Sequence, residues 1–155
     1  SSQSRGLGDV YKRQVLMIIK KVEWDQIKHI PKTYPKEFAM FAQHKNPHIW
    51  LGAFLKDDKE DFPRCNLQHL IGVGKILFAK KTVARMCSVF VLPPFRKMGV
   101  SKLLTKEREK IAVEKGCTKI DYVADVSLEW RIPKGFLRKE RVGKNAFRYE
   151  KDFNQ

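Results

Sequence analysis

Residues 15–22, VLMIIKKV, crowd branched apolar side chains into one short run and predict a strand, whereas Trp24, Ile27 and Ile30 in EWDQIKHI fall at helical spacing. Pro31 and Pro35 punctuate, and KEFAMFAQH then offers a short helix with Phe38, Phe41 and Ala42 on one side, ended by Asn46-Pro47. IWLGAFLKD (49–57) reads as a strand. The polar stretch DDKEDFPRCNLQH separates it from a further strand, LIGVGKILFA (70–79), so the two pair antiparallel through a long loop. VARMCSVFVL (83–92) follows closely, and these three strands form a meander. At Pro93 the period changes. Val100, Leu103, Leu104, Ile111 and Ala112 fall on one helical face, Lys102, Lys106, Glu109, Lys110 and Glu114 fall elsewhere, and Gly116 is placed to end the helix left-handed.

TKIDYVADV (118–126) reads as the next strand, so 83–126 spells strand, helix, strand. Such a unit implies two parallel neighbours joined by a right-handed crossover, on the same sheet as an antiparallel meander. SLEWRIPKGF gives an irregular or helical turn, and FLRKER with AFRYEKDF closes the chain as a hairpin across Val142–Asn145. The first residues, SSQSRGLGDVYKRQ, have no apolar period. Residues 1–16 are therefore expected to be a mobile tail or leader, and 17–155 the domain.

A chain of 155 residues with 43% hydrophobic content encloses one core and too little for two. Charge adds a second constraint: 32 Lys and Arg against 17 Asp and Glu give +15, of which residues 1–14 carry only +2. The domain itself is strongly basic and attracts anions, with nucleic acid, anionic lipid and a polyanionic cofactor all open as partners. Cys65, Cys87 and Cys117 are far apart with no CxxC, which argues against a disulfide framework or zinc ribbon and fits a reducing, cytoplasmic setting. VLMII and VFVLPPF are the longest apolar stretches, far short of the roughly 20 residues a membrane helix needs.

The junction PPFRKMGVSKLL (93–104) carries the candidate chemistry. First-turn N–H groups of a helix lack intrahelical partners and sit at the positive end of its dipole. RKMGVS (96–101) puts a glycine where backbone must approach a ligand closely and flanks it with Arg96, Lys97 and Lys102. Phosphate suits such a turn, although a plain strand-to-helix loop with surface cations has the same composition.

The order of elements, and above all SVFVLPPFRKMGVSKLLTKEREKIAVEKGCTKI, resembles the central motif of the GNAT superfamily of acyl-CoA-dependent N-acyltransferases. Arg96, Gly99 and Ser101 occupy the positions where members carry Arg or Gln, then Gly, then Gly or Ala; Ser101 departs from the last. IPKGFLRKERVGKNAFRYEKDF is similar to the family's ending, in which GF precedes two final strands. The resemblance implies an α/β fold: a single GNAT-like domain with a mixed, mostly antiparallel sheet, a central βαβ unit and a splayed parallel strand pair, parting at Leu92 and Ala124.

It also implies acetyl-CoA as acyl donor. The backbone from Arg96 through Lys97, Met98, Gly99, Val100, Ser101 and Lys102 would hold the pyrophosphate, and Phe90, Val91 and Leu92 would pair with the pantetheine amides. A strand N–H near Val91 would stabilise the tetrahedral oxyanion.

Two departures leave the acid–base chemistry open. The strand that often carries a Glu in the family reads Arg85, Met86, Cys87, Ser88, and the frequent tyrosine ahead of GF is replaced by Trp130, Arg131, Ile132 and Pro133. Tyr122, Asp125, Ser127 and Glu129 are the nearby replacements, and Asp125 and Ser127 are the catalytic candidates because ligands bind at the C-terminal ends of such strands.

His44 with His48 and Cys65 with His69 have ligand-like spacing, but Pro47 interrupts the first pair and no metal site is expected. Lys102, Lys106 and Lys110, with Lys97, Lys80 and Lys81, form either a solvated face or a guide for phosphates or a nucleic-acid acceptor. The functional expectation is an N-acyltransferase, probed against two alternatives: a nucleobase-modifying enzyme on the same scaffold, of Mom-like type, or a non-catalytic nucleic-acid binder. The acceptor, a small-molecule or protein amine, and the oligomeric state stay open.

Overall fold

A computed structural model describes residues 17–38, 46–56 and 69–153. Its seven strands are β1 (Met17–Val22), β2 (His48–Leu55), β3 (Leu70–Leu77), β4 (Val83–Val91), β5 (Lys119–Asp125), β6 (Leu137–Arg141) and β7 (Ala146–Asp152). They form one sheet in the order β1-β2-β3-β4-β5-β7-β6. β1 to β4 run antiparallel, β4 and β5 are parallel, and the closing hairpin inserts β7 between β5 and β6. Burial follows composition: β3, apolar except for Lys75, is buried throughout, and LRKER in β6 is exposed throughout as a charged edge.

The helices are α1 (Trp24–Ile27), α2 (His29–Thr33), α3 (Pro35–Phe38) and α4 (Val100–Glu114). Pro31 does not interrupt: it lies in the first turn of α2, where its missing N–H leaves no bond unmade, and Pro35 opens α3. The rest of KEFAMFAQH and the tail 1–16 lie outside the described residues. Ile27 and Ile30 pack against Trp50, Phe54, Val73 and Phe90 on one face of the sheet. On the other face, Val100 and Leu104 of α4 meet Leu51, Ala53 and Ile71, and Ala112 meets Ile76, Met86 and Ile120. Gly116, φ 85°, ends α4 as its position predicts. None of the described helices is long and apolar enough to cross a membrane.

The parallel pair parts earlier than expected. β4 and β5 are in register only from Val83–Arg85 to Lys119–Asp121, so they separate at Met86 and Tyr122 rather than at Leu92 and Ala124. A bulge follows closely. Gly74 lies opposite Val89 and Lys75 opposite Cys87, leaving Ser88 as an extra residue of the kind that bends a strand.

Candidate functional site

The mouth of this opening faces the strand-to-helix junction. Pro93–Phe95 form one 3₁₀ turn, Lys97 holds a left-handed φ of 64°, and Gly99, φ 84°, is the N-cap of α4. Two left-handed residues so close together turn the chain sharply into α4. No side chain caps the helix and no carboxylate stands in its first turn. The N–H groups of Val100, Ser101 and Lys102 therefore present the dipole's positive end. Val100 is itself a core residue, and the missing side chain of Gly72 lets it close on the sheet: a Cβ there would come 3.0 Å from Val100 Cγ1. Met98 is half-buried against the same cluster, while Arg96, Lys97, Ser101 and Lys102 are exposed.

Arg96 turns back over the strand. Its Nε donates to the Val91 carbonyl at 3.0 Å and its guanidinium lies 5.5 Å from the Phe90 ring centre. Of the three strand residues expected to face a ligand, Leu92 gives its N–H to Ile71 O at 2.8 Å, on the β3 side. Alternation puts the Phe90 groups on that side as well and turns those of Val89 and Val91 toward the opening. Phe90 is instead buried against Tyr34, ring centres 5.2 Å apart.

The closed end is clasped by Arg85 Nε and Nη2, which donate to the Asp121 carboxylate at 3.0 and 3.1 Å across the last parallel pair. Just beyond it, on the α4 side, Tyr122 sits edge-on to Phe136. Burial pushes its phenol up, against the pull of the Arg108 guanidinium. On the opposite face Lys75 stands over the Trp50 ring, directly across from Cys87; burial lowers the Lys75 ammonium and raises the Cys87 thiol.

Asp125 and Ser127 occupy one another. Asp125 caps the 3₁₀ turn Val126–Arg131, its Oδ1 accepting from Ser127 N at 2.9 Å and Ser127 Oγ at 2.8 Å, and these bonds hold its carboxyl below the usual range. Glu129 pairs with Arg138 and Trp130 is exposed. Lys102, Lys106 and Lys110 project from α4 into solvent. Lys80 and Lys81 do not join them: with Phe78, Lys115 and Cys117 they line a shallow cavity of about 300 Å³ at the other end of α4. His44 and Cys65 lie outside the described residues, among which no three His, Cys, Asp or Glu gather to hold a metal.

The bulge at Ser88, the outward-facing Val89 and the buried Arg108 are features that sequence patterning missed. Only Arg108 left a trace, as a cation beside the apolar face of α4.

The sequence profile of the acetyltransferase (GNAT) family matches residues 17–129. No curated protein sequence matches the chain closely enough to count as a relative. Among solved structures, a putative acyl-CoA N-acyltransferase from Klebsiella pneumoniae superposes with a TM-score of 0.64 at 13% identity, over 88% of this chain and 97% of that one. PaiA N-acetyltransferase from Thermoplasma acidophilum, in complex with coenzyme A, gives 0.62 at 15% identity over 89% and 99%. N-acetylglutamate synthase from Neisseria gonorrhoeae, complexed with coenzyme A and N-acetyl-glutamate, gives 0.64 at 14% over 90% of this chain and 36% of that one. The superpositions carry the fold alone, but the profile spans most of the chain, from β1 through the junction to the turn after β5: the chain belongs to the GNAT family of acetyltransferases, enzymes that move an acyl group from acyl-CoA to an amine.

Proposed function

We propose that the first turn of α4, from Arg96 to Lys102, holds the pyrophosphate of acetyl-CoA, and that its pantetheine arm enters the opening between β4 and β5. One observation carries this reading: a 15-residue helix presents a left-handed glycine N-cap without any capping side chain, beside a strand edge freed from its parallel neighbour. An extended amide ligand fits such an edge as a peptide augments a sheet. Val89 and Val91 supply the outward groups, and Val91 keeps its N–H while Arg96 takes its carbonyl. Those N–H groups are the donors offered to the thioester oxygen as it gains charge.

A neutral amine attacks the carbonyl, the tetrahedral oxyanion collapses and coenzyme A leaves as a thiolate. Holding donor and acceptor together supplies most of the acceleration. Asp125 and Ser127, at the end of β5, are the pair assigned to proton transfer. Their mutual hydrogen bonds make the carboxylate a weak base, so their share is small and the acceptor proton leaves mainly to water.

Calorimetric titration with coenzyme A tests the reading. Wild type is expected to bind saturably and Gly99→Glu, which sets a carboxylate into the turn, to lose all measurable binding; equal affinity in the two would end it. Asp125→Asn and Ser127→Ala are expected to lower kcat by less than about tenfold.

A further inference from the structure

Arg108 is the largest fully buried side chain among the described residues, with 1% of its surface exposed. A buried cation is normally matched by a carboxylate. Here, among the described residues, every hydrogen bond of the guanidinium goes to an uncharged oxygen. Nη1 donates to Lys75 O at 3.0 Å and to Cys87 O at 2.9 Å, and Nη2 donates to Thr105 Oγ1 at 3.0 Å. Lys75 and Cys87 are directly opposite one another, at the step where the register between β3 and β4 slips. A single guanidinium nitrogen on α4 thus ties both strands together beside the extra residue, Ser88. The strand opposite makes room for it: a Cβ on Gly74 would lie 3.5 Å from Arg108 Nε, in contact with the guanidinium stem.

The register places this tie next to the opening. Gly74, over which Arg108 lies, pairs with Val89, the first residue beyond the bulge. Tyr122, the first residue of β5 free of the parallel pairing, is near enough for its phenol to respond to the guanidinium charge. An apolar side chain of similar volume would escape the cost of burying a charge but could donate to neither carbonyl.

We infer that Arg108 is a positioning residue for acyl transfer: it fixes the bulge at Ser88 and so aims the Val89 and Val91 backbone groups into the space between β4 and β5. This rests on the acyl-transfer reading above and is independent of the identity of the acceptor.

Four proteins test it: wild type, Arg108→Met, Arg108→Lys and Cys117→Ala, the last a core change at the far end of α4. Amide hydrogen exchange over residues 86–92 is measured in the free protein, together with coenzyme A affinity and acetyl-CoA turnover with spermidine and a lysine peptide as acceptors. Arg108→Met is expected to speed exchange at Phe90 and Leu92, whose N–H groups face β3, by about tenfold or more. Its kcat is expected to drop about a hundredfold while coenzyme A affinity falls by less than about tenfold, because the phosphate turn is untouched and only the pantetheine contacts at Val89 and Val91 loosen.

Arg108→Lys, with one ammonium for two carbonyls, is expected to fall between Arg108→Met and wild type, and it carries the test should Arg108→Met not fold. Cys117→Ala is expected to lower the melting temperature without changing exchange at Phe90 and Leu92 or kcat. Exchange or kcat in Arg108→Met within about twofold of wild type overturns the inference, as does a loss of kcat in Cys117→Ala that tracks melting temperature equally. A wild type that neither binds coenzyme A nor transfers acyl groups overturns the acyl-transfer reading and the role of Arg108 in transfer with it; active wild type and equally active Arg108→Met overturn the role of Arg108 alone.

Discussion

Gly99 is the residue at which conformation and chemistry coincide. Its φ of 84° lies where an L side chain is strained, yet a Cβ there would meet nothing within 4 Å. Gly99→Ala is therefore expected to cost about 1 kcal/mol through backbone strain alone. That corresponds to a melting temperature lower by about 2–4 °C for a domain of this size, read by calorimetry. RKMGVS is legible in the sequence because glycine and flanking cations are themselves the signal. Asp125 shows the opposite: its position at the end of β5 is readable, but whether a carboxylate there acts as a base or a cap depends on where the Ser127 N–H and hydroxyl point.

At the scale of elements, α4 is held to the sheet by close approach. A Cβ on Gly72 would stand 3.0 Å from Val100 Cγ1 and 3.3 Å from Phe90 O, so Gly72→Ala must push the first turn of α4 outward. Overpacking of this kind costs about 1–3 kcal/mol. Coenzyme A affinity is expected to fall about five- to tenfold, measured by titration, with the far end of α4 unaffected. β5 and β7 are joined by charge as well as by backbone. Glu150 accepts from Arg148 and pairs with Lys119 at 3.3 Å, and Arg148 also reaches Asp121 at 3.5 Å.

The Arg148 guanidinium, first among its surroundings, holds the Glu150 carboxyl below its ordinary value. A carboxylate depressed on folding stabilises the native state above its unfolded pKa and loses that contribution as pH falls through its folded value. Melting temperature is expected to decline below about pH 4.3, and Glu150→Gln to flatten that acid limb while lowering stability at neutral pH. A melting curve equally steep in acid for Glu150→Gln would place the acid sensitivity elsewhere. The strands themselves were legible from branched apolar runs. The bulge was not, because VARMCSVFVL reads as an unbroken strand and nothing in its alternation marks Ser88 as supernumerary.

For the whole molecule, +15 on 155 residues sets a field that favours anionic ligands before any contact forms. The KM for acetyl-CoA is expected to rise as salt is raised from about 0.05 to 0.3 M, as counterions screen the lysines around the junction. If the acceptor is a nucleic acid, its affinity is expected to fall steeply over the same range, and Lys106→Glu with Lys110→Glu is expected to reduce the slope of log affinity against log salt by about two. Acyl transfer to a lysine peptide that, at saturating acetyl-CoA, is indifferent to both changes would favour a small or protein amine. Net charge gives the sign of the partner and no more, since Lys80 and Lys81, grouped with the α4 lysines on charge alone, lie at its other end.

The sequence alone determined the element order, the βαβ crossover and the glycine at the start of α4, because each is a local matter of apolar period and backbone freedom. Tertiary structure decided how far β4 and β5 pair, which of Phe90, Val91 and Leu92 turns toward the opening, and what Arg108 holds. Those depend on register between strands and on a side chain reaching across more than twenty residues of chain to a carbonyl, relations that no local pattern of hydrophobic and polar positions records.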